Sequence, residues 1–193
     1  MTQRVPPAFA CLTARQAGMT TNQMKSEAAL LKFMMEDIRR VTLKGISGLT
    51  KEQLFAEPIK GEFPIGAYLM HLGEAELGWL QTLTGEKQPN EIKKRVYYSA
   101  WYDVPPDKYN PPTEPIEPAE YIGAITEARK SVLDYLDSLD DSNLEETVFL
   151  KHRKVDVTKK WIFYHLIEHE AHTRGQMFLL IRMAGFKKKG ENN

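Results

Sequence analysis

The sequence offers a single cysteine, Cys11, in 193 residues. A lone thiol closes no intrachain disulfide, and with no CxxC pair and no Cys/His cluster, a secreted disulfide scaffold and a zinc ribbon are both excluded. A reducing, cytoplasmic setting is the expectation. Long apolar runs are equally scarce. The longest reach about five residues, as at 177–181, against the roughly 18 that a membrane span requires. Charge of one sign is missing too: 26 Lys and Arg balance 26 Asp and Glu. No overall field therefore draws in nucleic acid or anionic lipid, and neither is expected as a partner. Residues 1–18 lack periodic pattern, and Pro6 and Pro7 interrupt their one mildly apolar stretch. They read as a disordered extension rather than a secretory leader. What remains, 19–193, has the makeup of one globular domain, since the whole chain is 42% hydrophobic and 27% charged.

Helical periodicity organises that domain. Over residues 22–45, Ala28, Leu31, Met35, Ile38, Thr42 and Leu43 recur three to four apart with charged residues between them, which predicts an amphipathic helix. Thr50 and Gln53 have the form of a capping box opening a short turn. A second helix is predicted from Pro64 to Thr84, with Gly85 as its stop and an inward stripe of Ile65, Tyr68, His71/Leu72, Ala75 and Trp79. A third spans 119–139, with Tyr121, Ile125, Ala128, Val132 and Leu136 inward. Residues 148–157 alternate like a short hairpin, and a fourth helix runs from near Thr158, capped by Asp156, to Ala184. Between the second and third helices, seven prolines punctuate 86–118 and forbid regular helix through much of the stretch. Its aromatics, Tyr97, Tyr98, Trp101, Tyr102 and Tyr109, imply that it packs on something, as the cover of one bundle end, a dimer contact or a lid. The architecture predicted is all-α, a four-helix bundle with a long crossover connection between helices two and three, whose interior commonly hosts metal sites.

Three of the five histidines, His165, His169 and His172, fall within eight residues of the last helix. At about 100° per residue they share one strip of its surface. Imidazole pairs spaced three or four apart can meet on one divalent ion, and His71, on helix two, is the natural partner from a second helix. The spacing of three between His169 and His172 is not the H-E-x-x-H of a metalloprotease. His152 sits in a basic run and reads as solvated, as do Lys187, Lys188 and Lys189. Glu74, Glu76, Glu168 and Glu170 flank the histidines and read mostly as solvated faces or partners for Arg174. Glu74, one turn after His71, is the candidate orienter or base.

The segment from His165 through His169, His172, Thr173 and Arg174 to Gln176, together with that from Pro64 through His71 to Trp79, resembles the DinB/YfiT-like superfamily over about residues 22–186. The resemblance implies a metal-binding four-helix bundle, often dimeric, in which one histidine of helix two and two ligands of the last helix hold a nickel- or zinc-like ion. His71 and His169 fall on ligand positions. The family commonly places histidine directly before Arg-Gly-Gln, where this chain has Thr173, so either His172 completes a histidine triad with shifted geometry, or His165 pairs with His169, or the site is impaired. His172 is the favoured reading. Gln176 becomes a candidate to bond a ligand. Relatives include metal-dependent thiol transferases and a maleylpyruvate isomerase that uses low-molecular-weight thiols. The resemblance therefore implies a metalloenzyme, a transferase or hydrolase acting on a small-molecule substrate or thiol. The alternatives are a non-catalytic metal-binding stress protein and a metal-free helical homodimerisation module.

Overall fold

The computed structural model describes residues 26–186. The expected N-terminal extension, residues 22–25 at the start of the first expected helix, and the lysine tail 187–189 lie outside them. Four long helices carry the fold, α1 (Glu27–Ile46), α3 (Ile65–Thr84), α5 (Pro118–Asp137) and α7 (Lys159–Met183), with short α2 (Lys51–Phe55), α4 (Asn90–Arg95) and α6 (Asp141–Leu144) between them. Strands β1 (Thr147–Leu150) and β2 (Val155–Thr158) form an antiparallel hairpin with Val148 opposite Val157. Among the described residues no helix is long and apolar enough to cross a membrane.

Local chemistry sets the ends. Ser26 Oγ accepts the Ala29 N–H at 3.1 Å, and the Asp141 carboxylate takes the next two exposed donors, the N–H groups of Glu27 and Ala28. The capping box of Thr50 and Gln53 forms as read. Gly85, at φ +74°, ends α3 in the left-handed conformation that a β-carbon disfavours. Helix α7 is capped by Thr158, the last residue of β2, whose hydroxyl accepts the Trp161 N–H, and not by Asp156, which lies two residues earlier and is paired across the hairpin with Phe149.

Helix α3 packs against both α5 and α7, and α1 closes on α7 and α5. The core forms two apolar clusters, one around Tyr68, Leu72, Trp101 and Tyr121, the other around Met35, Leu80, Leu136 and Phe163. Between them, at mid-length of each long helix, four charged side chains meet: Arg39 (α1), Glu76 (α3), Arg129 (α5) and Glu170 (α7), each at most 6% exposed. Arg39 donates to Glu76 at 2.8 Å and to Glu170 at 3.0 Å. Arg129 donates to Glu76 at 2.5 Å and to Glu170 at 2.6 Å. The remaining guanidinium donors reach the carbonyls of Ile125 and Met35. Glu76 and Glu170 are thus not solvated faces, and Arg174 is not their partner. Two positive and two negative groups cancel inside the bundle, the condition under which ions tolerate burial.

The inward stripe of α3 also differs from the expected one. Ile65, Leu69, Leu72, Gly73, Glu76, Leu77, Leu80 and Leu83 are buried, while His71, Ala75 and Trp79 are only half-buried. Covered by α5 on one side and α7 on the other, α3 keeps these three residues at the rim of its contact with α7. The proline-rich connection holds one short helix, α4, in the proline-free gap before Pro105, and a 3-10 turn at Pro106–Lys108. Val96 and Trp101 anchor it in the core, each 1% exposed.

Candidate metal centre

At the rim between α3 and α7, His71 and His169 turn the same ring nitrogen toward each other, Nε2 to Nε2, at 3.0 Å. Their ring centroids are 4.8 Å apart and the planes tilt by 60°. The other nitrogen of His71, Nδ1, is buried without a hydrogen-bond partner, and Glu74 Oε2 stands 3.7 Å from it. The second carboxylate oxygen of Glu74 accepts the Ser99 N–H at 2.7 Å and the Ser99 hydroxyl at 3.3 Å. Tyr102 stacks on His71 with centroids 4.3 Å apart. The connection between α3 and α5 thus covers His71 through Tyr102 and holds the neighbouring Glu74 through Ser99. A hollow of about 260 Å³ opens beside the pair, bordered by His71, Glu74, Ala75, Trp79, Tyr98 and His152. His152 is exposed, as its basic surroundings predict, yet the hairpin brings it to this border.

The third histidine does not converge. At about 100° per residue, the buried face of α7, marked by Leu166, Glu170, Thr173 and Met177, is centred some 70° from His169 on one side. His172 falls about 60° away on the other, and its side chain is exposed. Gln176 is exposed as well, whereas Thr173 is 4% exposed and faces inward. His165 lies in an aromatic slot, stacked on Trp161 at 4.9 Å with planes 5° apart and met edge-on by Trp79 at 5.0 Å. Its ring centroid is 6.3 Å from that of His169, and its Nδ1 faces Glu168 at 3.5 Å. Among the described residues, no set of three His, Cys, Asp or Glu side chains is gathered for a metal ion. The structure brings together His71 and His169, with Glu74 beside them. It does not bring in His172, His165 or Gln176. Tyr102 and Ser99, which the sequence did not single out as site residues, complete the surroundings. Their only signal was the aromatic content of the connection.

Burial, with the neighbouring rings of His71 and His165 adding to it, pushes the His169 imidazole down to about 4 from its ordinary 6.5. The ring is therefore neutral at pH 7, the form that binds metals. The same shift makes the metal-free fold sensitive to acid. Between pH 6.5 and about 4 the unfolded chain binds a proton that the folded chain refuses, so stability falls as pH drops through that window and levels below it. The loss is at most about 3 kcal/mol from this group. Urea midpoints at about pH 7 and pH 4.5 should differ less in His169→Gln than in the parent. Equal differences would show that His169 is not the group responsible.

The sequence model of the DinB superfamily matches residues 34–177. No curated protein matches the chain significantly. Among solved structures, a DinB-like protein from Bacillus cereus superposes with a TM-score of 0.56 at 20% identity, covering 83% of this chain and 96% of that one. YfiT from Bacillus subtilis, described as "a probable metal-dependent hydrolase with an unusual four-helix bundle topology", superposes with a TM-score of 0.58 at 15% identity, covering 88% and 91%. A conserved protein from Enterococcus faecalis gives 0.61 at 12% identity, covering 86% and 98%. These structures share the fold. The family match spans most of the sequence, and with it the chain belongs to the DinB superfamily.

Proposed function

We propose that this protein is a divalent-metal enzyme of the hydrolase or thiol-transfer type, with His71 and His169 as ligands of a nickel- or zinc-class ion. The observation that carries the reading is the pair of Nε2 atoms from two helices 3.0 Å apart. Two nitrogens each about 2.1 Å from one ion stand about 3.0 Å apart at a right angle and about 3.4 Å apart at the tetrahedral angle. The observed spacing fits two adjacent ligands and lies nearer the right-angled geometry. The neutral state of His169 fits as well, because a ligating imidazole presents a lone pair to the ion, and Glu74 stands 3.7 Å from the Nδ1 that would carry the ring proton of His71. The two histidines are the protein's share of the coordination that the fold assembles, and the remaining positions would be open to water or substrate. The description of YfiT as metal-dependent points the same way.

When bound, a divalent ion supplies Lewis acidity that makes a water or a thiol nucleophilic near neutral pH. The chain's own residues do the positioning. Glu74, against Nδ1, orients the His71 ring. Tyr102 shields one face of that ring from solvent, and Trp79 and Tyr98 border the hollow in which a small substrate would lie.

A second reading is favoured by the same distance, since 3.0 Å is also the length of an N–H···N hydrogen bond in which one ring donates and the pair is purely structural. Metal analysis separates the two. Untagged protein, stripped with chelator and reconstituted with nickel or zinc, should retain about one equivalent, and less than about 0.2 equivalents would reject the site. His71→Ala should lose both the ion and any turnover of activated esters or of thiol with an electrophile. Equal rates in parent and variant would remove the enzymatic reading while leaving the ion.

A further inference from the structure

A larger cavity, about 730 Å³, lies outside the histidine cleft, between α4 and the limb 110–116 of the connection. Its size is that of a small-molecule site. One wall is apolar, from Pro111, Pro112, Pro115 and Ile116, and Tyr97 and Tyr98 supply aromatic surface. The last turn of α4 adds Lys93 and Lys94. Lys93 is engaged, its ammonium bonded to Gln81 at 3.3 Å and 5.2 Å from the Tyr98 ring centre. The side-chain ammonium of Lys94 makes no hydrogen bond or ion pair among the described residues, and Glu114, the one carboxylate on the wall, is paired with neither lysine. A second hollow of about 300 Å³ shares Lys94, Tyr97 and Ile116, so the free ammonium borders both spaces.

The backbone at this wall is held in a costly shape. Tyr97 and Ser99 adopt φ +50° and +52°, a conformation natural to glycine and disfavoured by a β-carbon. A connection needing only the turn would be served by glycine. Here the side chains are used: the Ser99 hydroxyl donates to Glu74 at 3.3 Å, and the Tyr97 ring lines the cavity with Trp101 behind it at 5.3 Å. Strain of this kind is retained where surrounding structure enforces it, most often at sites that bind. Tyr98 borders this cavity and the hollow beside His71 alike.

We infer that the cavity is a second small-molecule site, taking an amphipathic organic carboxylate whose apolar body lies against Tyr97, Tyr98 and the prolines and whose anionic end meets Lys94. It does not depend on the histidine pair holding a metal. The test titrates the full metal-free chain with 3-phenylpropionate and with its neutral amide, following backbone amide resonances. The acid should shift residues 93–100 and 113–116 saturably. Lys94→Gln, an exposed substitution that leaves the remaining spectrum in place, should weaken the acid about fivefold or more while leaving the amide unchanged. Equal binding of acid and amide by the parent, shifts confined to residues 71–79, or no saturable shift at all would overturn the assignment.

Discussion

Replacing Glu170 by alanine should lower the free energy of unfolding by about 3–5 kcal/mol, the cost of removing one partner from a buried ion network. The side chain is 1% exposed and holds both Arg39 and Arg129. Burial alone would raise its carboxyl, but the two guanidiniums outweigh that and hold it below the ordinary carboxylate value, fully ionised. Without it, two arginines share Glu76 alone and one net positive charge stays in the core. Glu170→Gln should fall between, since it keeps the shape and part of the hydrogen bonding. Asp134→Ala, which breaks an exposed pair with Lys130, should change nothing measurable. Urea denaturation reads all three. A Glu170→Ala loss below about 1 kcal/mol would mean the network contributes only packing.

Trp101→Ala should cost a similar amount, about 3–5 kcal/mol, as a large core side chain truncated to a cavity. Trp101 is 1% exposed, with Tyr97 and Tyr121 as ring neighbours at 5.3 and 6.2 Å. Its loss should also be felt at the histidines. Tyr102, the adjacent residue, covers His71 only while the connection is anchored, so the variant's His71 should react faster with an imidazole-modifying reagent. Tyr109→Ala, at a residue 48% exposed on the same connection, should leave both stability and reactivity unchanged. A destabilised Trp101→Ala whose His71 reacts at the parental rate would show that the cover does not rest on this anchor.

The long helices were legible because their signals are local. Thr50 with Gln53, Gly85, and the spacing of Leu31, Met35, Ile38 and Thr42 need no knowledge of a neighbour. The buried charges were not. Arg39 lies four residues after Met35 and Glu170 four after Leu166, so each falls on the inward register of its helix. Yet a charge at such a place reads as solvated unless its partners on three other helices are known. The site divided the same way. That His71 and His169 could meet was readable from residue type and position, whereas the choice of a third histidine turned on some 60° of rotation about α7, which spacing alone left open between His165 and His172. Tyr102 and Ser99 were invisible because their place depends on how a proline-rich segment wraps, and no period governs that.

His169 and Glu170 are consecutive, one at the solvent edge and the other clamped between two guanidiniums. Any twist of the last helix about its own axis would have to tear those bonds. The imidazole is thereby aimed by its neighbour, and substitutions at Arg39 or Arg129, well inside the protein, should be felt as a change of angle at the surface.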